Sequence, residues 1–331
     1  MLLFVVSRIL QALPVFLCVV LVAFVLFAFV GDPVLIMLGQ NYTEAQRAAT
    51  AHRLGLDQPL IIQYCRYVWA TLHGEFGVSY RLSRPVAALL AERLPATAEL
   101  AITATLLSVA VGVPLGVFTA VHRRRRVAGI LLSICLVALS VPTFLLGTLL
   151  ILVFSVGLHW LPSFGRGAVV HIGWWSTGLL TASGLRSLVL PAATLGLYQK
   201  SLITRLTRVE MLDALGTEHI RFARARGLPR RSIYVTHAGR NALVPIVTLA
   251  ALQFGGVLAF SIVTESVFQW PGLGLLFIQS LGAADIPVLA AYLILTAAIF
   301  LTLNLAVDLS STLIDPRLRS SLRGFPPARD R

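Results

Sequence analysis

Residues Arg205–Pro245 read RLTRVEMLDALGTEHIRFARARGLPRRSIYVTHAGRNALVP. The stretch is rich in arginine and in helix-forming residues, and it lies between two long apolar runs. Nine of the chain's 27 Lys+Arg fall between Lys200 and Arg240. In a membrane protein, a positively charged segment of this kind stays on the cytoplasmic side. Its turn signals are too regular for a plain loop. Gly216 can end one helix, Thr217 can cap the next, Gly227 can end that one, and Pro229 can open a third. The segment therefore reads as two short helices around a tight turn below the membrane. Arg224, Arg226, Arg230 and Arg231 cluster at the turn, and Ala223, Ala225 and Gly227 give a low-relief surface able to seat in a partner's cleft. The competing reading is a solvated loop whose charges only set topology.

Composition fits this setting. The 331 residues are 57% hydrophobic and 12% charged, and the mean hydropathy is +0.85. A soluble domain carries about 25% charged residues. The net charge of +13 could suggest nucleic acid, but the arginines alternate with long apolar runs, which the positive-inside bias explains more economically. No nucleic-acid partner is expected. Cys18, Cys65 and Cys135 form no CxxC pair, so a disulfide framework or zinc site is not expected.

A membrane span needs about 20 apolar residues. The first candidate, Ile9–Val30, carries no charge and exceeds the about 7–15-residue apolar core of a signal peptide. Further candidates cover about Ala96–Val121, Ala128–Val156 with Pro142 inside, Ser187–Ile203, Ala242–Thr264 and Ile286–Val307. Residues 31–95 are mixed and polar, with helical patches at Thr43–Leu54 and Ile61–Leu72. Thr43 precedes Glu44 and Gln46, a helix start.

The expected fold is an all-α polytopic membrane protein of six transmembrane helices, with a small extracytoplasmic subdomain between the first and second. Residues 1–30 hold a cytoplasmic start and the first span, and 31–95 the outer subdomain. Residues 96–308 form a five-helix transmembrane domain containing the cytoplasmic segment 205–241, and 309–331 a cytoplasmic tail. Alternating sides through six spans puts nineteen Lys+Arg on one side and eight on the other, so the first side, with both termini, is cytoplasmic. All five tryptophans fall on the outer side, as an interfacial aromatic belt requires. Residues 157–186 read as an outer loop. Pro114, Pro142, Pro191 and Pro245 lie in or at the ends of spans and suit helices that kink around a pathway.

No span carries an ionisable residue at its middle, where proton-driven carriers place one. The single lysine, Lys200, follows Gln199 and fits no phosphate-binding Gly-Lys-Ser/Thr loop. The seven histidines form no ligand pair at helical spacing, and no G-x-S-x-G setting presents a nucleophile. The chain reads as a conduit driven from elsewhere, not as an enzyme. A stand-alone secondary carrier and a membrane-embedded enzyme are the weaker alternatives.

Several stretches resemble the permeases of ATP-binding cassette importers. Ala223 and Gly227 match the alanine and glycine, four residues apart, of that family's coupling signature, while Arg221-Phe222 stands where the signature has Glu-Ala. Gly31-Asp32-Pro33, Leu54 to Pro59, Ser140-Val141-Pro142, Trp160-Leu161-Pro162, Phe268 to Gly274 and Asp315-Pro316-Arg317 resemble the first permease subunit of the dipeptide, oligopeptide and nickel branch. Gly239 departs from that branch's usual leucine. The resemblance implies a type I importer fold and a homologous second permease. It also implies two cytoplasmic ATPase subunits that bind ATP and magnesium, an extracytoplasmic substrate-binding protein, and no cofactor on this chain. It assigns coupling to Glu218, Arg221, Phe222, Ala223, Arg224, Ala225, Arg226, Gly227 and Leu228. Peptides are the expected cargo, with nickel or another small solute as the alternative.

Overall fold

The computed structural model describes residues 2–30, 43–54 and 57–314. Gly31-Asp32-Pro33, Gly55-Leu56 and the tail from Asp315-Pro316-Arg317 to Arg331 lie outside the described residues. Helix α1 (Leu2–Phe29) is followed by α2 (Glu44–Leu54), α3 (Leu60–Leu72), α4 (Val86–Val121), α5 (Arg126–Ser140) and α6 (Thr143–Leu150), which runs on into a π segment, Ile151–Gly157. A two-stranded antiparallel hairpin follows, β1 (Val170–Ile172) with β2 (Trp175–Thr177), Val170 opposite Thr177. Then come α7 (Ala182–Gly216) and α8 (Glu218–Ala225). Next, a turn at Arg230–Ser232 and a π segment at Ile233–Ala238 lead into α9 (Gly239–Phe260). Short helices α10 (Ile262–Val267) and α11 (Leu273–Gly282) precede α12 (Ile286–Ile314).

Each helix follows from local signals. Thr43 and Gln46 cap α2 reciprocally: the Gln46 amide donates to Thr43 Oγ1 at 3.3 Å and the Thr43 amide to Gln46 Oε1 at 2.9 Å. At 36 residues, α4 is about 54 Å long, well beyond the about 30 Å of bilayer hydrocarbon. It starts ten residues before the expected second span. The expected third span is not one helix. It breaks at Val141–Pro142, and the two halves meet at 107°. The ring of Pro142 disfavours helical backbone at Val141, which is extended (φ −83°, ψ 126°). Pro114, Pro191 and Pro245, by contrast, lie inside continuous helices.

Among the described residues, three helices are long and apolar enough to cross a membrane: Val5–Phe29, Val86–Val121 and Ile286–Leu309. The bent pair makes a fourth only if its two halves form one span rather than a re-entrant loop. The expected fourth and fifth spans lie within α7 and α9, which are less apolar. Helix α7 carries Gln199 and Lys200, and the apolar stretch of α9 is Pro245–Leu258. The final helix continues through 309–314, where a tail is expected to begin. Residues 60–72 pack against the first helix. Tyr64 donates its hydroxyl to the Leu17 carbonyl at 3.0 Å. The Tyr67 ring also stacks on Phe27 with centroids 5.9 Å apart, so α3 lies along α1.

The centre of the molecule is the long contact of α4 with α7. Ala96, Leu100, Ala101 and Ala104 meet Leu188, Ala192 and Leu195, with Val257 and Trp270 completing the cluster. Small residues let the two backbones approach closely. A Cβ at Gly116 would sit 2.8 Å from the Thr204 carbonyl oxygen. Hydrogen bonds cross the gap: Ser108 Oγ to the Gly196 carbonyl (2.9 Å), Thr204 Oγ1 to the Gly112 carbonyl (3.2 Å) and Arg208 Nη1 to the Thr119 carbonyl (2.9 Å). Gln199 adds α9 to the pair. Its Nε2 donates to the Gln253 carbonyl at 3.1 Å, and its Oε1 lies 3.2 Å from Ser108 Oγ, an alternative acceptor for that hydroxyl. Arg8 pairs with Asp308 at 3.1 Å, so the start of α1 and the end of α12 lie together.

Two glycines make a test of this packing. Gly116→Val should destabilise the protein by about 1–3 kcal/mol through overpacking. A Cβ at Gly129 meets nothing within 4 Å, so Gly129→Ala should stabilise helix α5 by about 0.5–1 kcal/mol. Thermal unfolding of the purified variants should shift in opposite directions. Equal shifts would remove the claim that α4 and α7 are held at glycine-limited distance.

Candidate functional site

The candidate site is the turn of chain below α7. Helix α7 runs unbroken from Ala182 to Gly216. Thr217 then redirects the chain, with extended backbone at φ −68°, ψ 151°. Its hydroxyl donates back to the Ala214 carbonyl at 2.8 Å and does not cap α8, so the expected side-chain cap is absent. The turn closes α7 instead.

Helix α8 ends as Gly227 requires. Gly227 adopts φ +74°, a left-handed conformation costly for any side chain with a Cβ. Its amide donates to the Arg224 carbonyl at 3.0 Å, and the Leu228 amide to the Ala223 carbonyl at 3.3 Å. That pair of bonds is a Schellman motif, which satisfies the last carbonyls of the helix. Pro229 precedes the Arg230–Ser232 turn, as its fixed φ favours, but the third helix is not separate. It passes through the π segment into α9. Gly239 ends that segment with ordinary helical backbone (φ −62°). A Cβ there would lie 2.9 Å from the Tyr234 carbonyl oxygen, so the glycine fits where leucine would crowd.

Helix α8 has two unlike faces. Ile220 is 0% exposed and joins Met211, Ile233, Ala238 and Ile246 in a core at this end of the molecule. Ala223 is 4% exposed. The expected low-relief docking surface therefore loses Ala223: its small side chain lets α8 sit close to its own chain. The outward face carries Glu218, Arg221, Phe222, Arg224, Ala225 and Arg226, with Gly227 and Leu228 exposed at its end. Phe222 is 63% exposed, and the Arg226 guanidinium lies 5.7 Å from its ring centroid. Arg221 and Glu218 pair at 2.5 Å, but both are exposed, so the pair contributes little. The geometry is an apolar ring ringed by cations on a rigidly anchored helix. It suits contact with another protein.

Sequence reading missed a second set of residues at the opposite end. Buried Arg166 holds buried Glu99 at 2.6 Å and donates to Ser176 Oγ at 3.0 Å, pinning the β-hairpin to α4. Glu265 accepts from Thr97 Oγ1 (2.7 Å), Ser261 Oγ (3.0 Å) and the amides of Gly274 (2.7 Å) and Leu275 (3.1 Å), so it caps α11 from a distance. Asp285 accepts from Ser79 Oγ (2.5 Å) and the Tyr80 amide (3.0 Å). Trp270 is 1% exposed and donates its indole N–H to the Ala96 carbonyl at 2.9 Å. It is a core residue and leaves the expected aromatic belt, whereas Trp69, Trp160 and Trp174 are exposed. The signal for Glu99 was its lone charge in an apolar run.

The described helices form a body with apolar helices long enough to cross a membrane, and α8 presents an exposed arginine- and phenylalanine-bearing face at one end. Residues 112–320 match the family described as binding-protein-dependent transport system inner membrane component, and residues 1–101 match the corresponding N-terminal family. The dipeptide transport system permease protein DppB of Escherichia coli (strain K12) is 35% identical over 336 residues, covering 96% of this chain and 99% of that protein. The glutathione transport system permease protein GsiC of Salmonella paratyphi A is 36% identical over 323 residues, covering 96% and 99%. Among solved structures, an inward-facing form of the MetNI methionine ABC transporter aligns with TM-score 0.55 and 18% identity, over 69% of this chain and 96% of that one. This last likeness gives the fold: that of a type I ABC-importer permease. The chain belongs to the family of inner-membrane components of binding-protein-dependent transport systems.

The left-handed cap gives a direct test. Gly227→Val should open the end of α8, since a β-branched residue is strongly disfavoured at positive φ, whereas Gly227→Asn should be tolerated. Trypsin cleavage after Arg224, Arg226, Arg230 and Arg231 should accelerate in the valine variant only. Matching digestion rates would contradict the cap.

Proposed function

We propose that this chain is the transmembrane permease subunit of an ATP-driven importer of short peptides and forms half of the translocation pathway with a homologous second permease. Two cytoplasmic ATPase subunits bind ATP and magnesium, and an extracytoplasmic binding protein delivers the cargo. Family membership across nearly the whole chain carries this reading, and the peptide cargo rests on the names of relatives such as the dipeptide permease. The arginine distribution supports a cytoplasmic place for α8 and both termini, and the Arg8–Asp308 pair fits termini on one side. Six spans then follow if α7 and α9 cross despite their polar positions, shielded by α4 and α12. Residues 57–95 of the outer segment and the pinned β-hairpin form the face that receives the binding protein.

Coupling works through a stiff connection. Helix α7 packs along α4 in the membrane and ends at the turn that holds α8. A push on α8 by an ATPase subunit is a push on α7, and Gln199 passes it to α9. Glu218, Phe222, Ala225 and Arg226 make the docking contact, while Arg221 and Arg224, beside the buried face of the helix, turn toward the ends of α4 and α7. Ile220 and Ala223 hold the helix to the permease, and Gly227 with Leu228 fixes its end.

The experiment is binding-protein-stimulated ATPase activity of the assembled complex. Phe222→Asp and Ala225→Glu should lower ATPase docking at least about tenfold, as loss of a central anchor does, and abolish stimulation, while the permease still inserts and pairs. Full stimulation in both variants would place coupling elsewhere, on the Arg123–Arg126 turn or the tail.

A further inference from the structure

Beside α8 lies a cavity of about 320 Å³ lined by Arg123, Arg221, Arg224 and Tyr234, with Ala120 and Val121 from the end of α4 and Leu212, Leu215 and Gly216 from the end of α7. Its size falls within the about 300–1,000 Å³ of small-molecule sites. Its guanidinium groups come from two separate elements, the turn between α4 and α5 and helix α8. No carboxylate is among the lining residues. Among the described residues, Arg123 and Arg224 have no ion-pair partner, and the exposed Glu218 pairing of Arg221 is weak enough to exchange.

Two helix C-termini also face this space, and their partial negative charge opposes an anion. Each end amounts to about half a charge, against three full positive charges. Three carbonyls near these ends have donors from outside the cavity: Arg208 Nη1 serves Thr119, the His122 amide serves Phe118 at 3.0 Å, and Thr217 serves Ala214. Topology alone would be satisfied by arginines anywhere on this side and does not require three to converge on one cavity.

Three residues along the same turn, Arg126 heads an open groove of about 630 Å³ on α5, lined by Gly129, Ile130, Ser133, Ile134 and Val137. A cationic head above an apolar groove is the complement of a lipid, and basic pockets between helices at the cytoplasmic surface bind anionic headgroups. We propose that the Arg123–Arg221–Arg224 cavity binds the phosphate of an anionic phospholipid from the cytoplasmic leaflet, with an acyl chain along the α5 groove. The bound phosphate bridges the α4–α5 turn to α8 and so holds the docking helix in place. The inference rests on the cytoplasmic placement of α8 given above, but not on ATPase docking.

The test uses the full-length chain without ATPase subunits, in nanodiscs of phosphatidylcholine with or without phosphatidylglycerol. The readouts are the phosphatidylglycerol molecules retained on release into native mass spectrometry and the tryptic protection of residues 224–231. Retention should weaken by about fivefold for each arginine removed in the series Arg123→Gln, Arg221→Gln and Arg224→Gln. Protection should rise with phosphatidylglycerol only in the wild-type chain. Arg124→Gln with Arg125→Gln, on the same turn but not lining the cavity, should retain lipid normally, and thermal unfolding identifies a variant that fails to fold. Should the triple Arg→Lys variant, which keeps the charge, be the form needed for a folded protein, its partial retention against the Arg124/Arg125 control gives the same reading. Unchanged retention in the folded triple Gln variant would overturn the proposal. Displacement by millimolar inorganic phosphate without any lipid dependence would overturn the lipid as source, as would an acidic peptide that binds the cavity in preference to lipid. Because no ATPase is present, failure here leaves the coupling reading intact, and failure of that reading leaves this result standing.

Discussion

The close contact of α4 with α7 is the constraint on which the rest of the molecule depends. It works because Gly112, Gly116, Ala101 and Ala104 keep one surface nearly flat, so the backbone of α7 can come within hydrogen-bonding distance. In a membrane, apolar burial does not drive helices together, since lipid is as apolar as the helix face. Close packing and interhelical hydrogen bonds must do it. The Ser108, Thr204 and Arg208 bonds, together with that shape, fix α7 against α4 from near its middle to near its end. Everything at the arginine-rich end inherits its position from this one contact.

Two polar devices then set the ends. At one end, buried Glu99, Glu265 and Asp285 each gather several donors from distant parts of the chain, which is how a buried carboxylate is made tolerable. They lock the β-hairpin, α11 and the 79–81 turn onto the helical body. At the other end, no buried carboxylate among the described residues makes a comparable lock. Helix α8 is held by Ile220, Ala223 and its glycine cap, with an open face of arginine and phenylalanine. If the arginine-rich end is cytoplasmic, as proposed, this asymmetry gives the transporter a stiff outer frame and a presented inner helix.

Local chemistry was legible in the sequence, and long-range pairing was not. The Thr43 box, the Gly227 cap and the first, second and last spans are written in neighbouring residues, and the structure has them. Hydropathy cannot see the break at Pro142, because both halves are equally apolar and only the backbone differs. Trp270 looked like an interfacial residue since its partner, the Ala96 carbonyl, lies 174 positions away. Glu99 and Arg166 are 67 positions apart, and neither announces the other. The short helix α8 and its glycine end were visible from the arginines and turn residues, but not which face of α8 points outward. Ala223 turned inward because the flanking Ile220 joins the core, a choice made by α7 and the π segment around it.

The central claim is that the outward face of α8 is where ATPase subunits grip the permease. Disulfide or short-spacer cross-linking in the assembled complex tests it most directly, in a background where Cys18, Cys65 and Cys135 are replaced. Single cysteines at Phe222 and Ala225 should cross-link to an ATPase subunit, with a yield that changes when ATP is added. Cysteines at Ile220 and Ala223 should not. Cross-linking at Ile220 with none at Phe222, or at Arg124 with none anywhere on α8, would contradict the account.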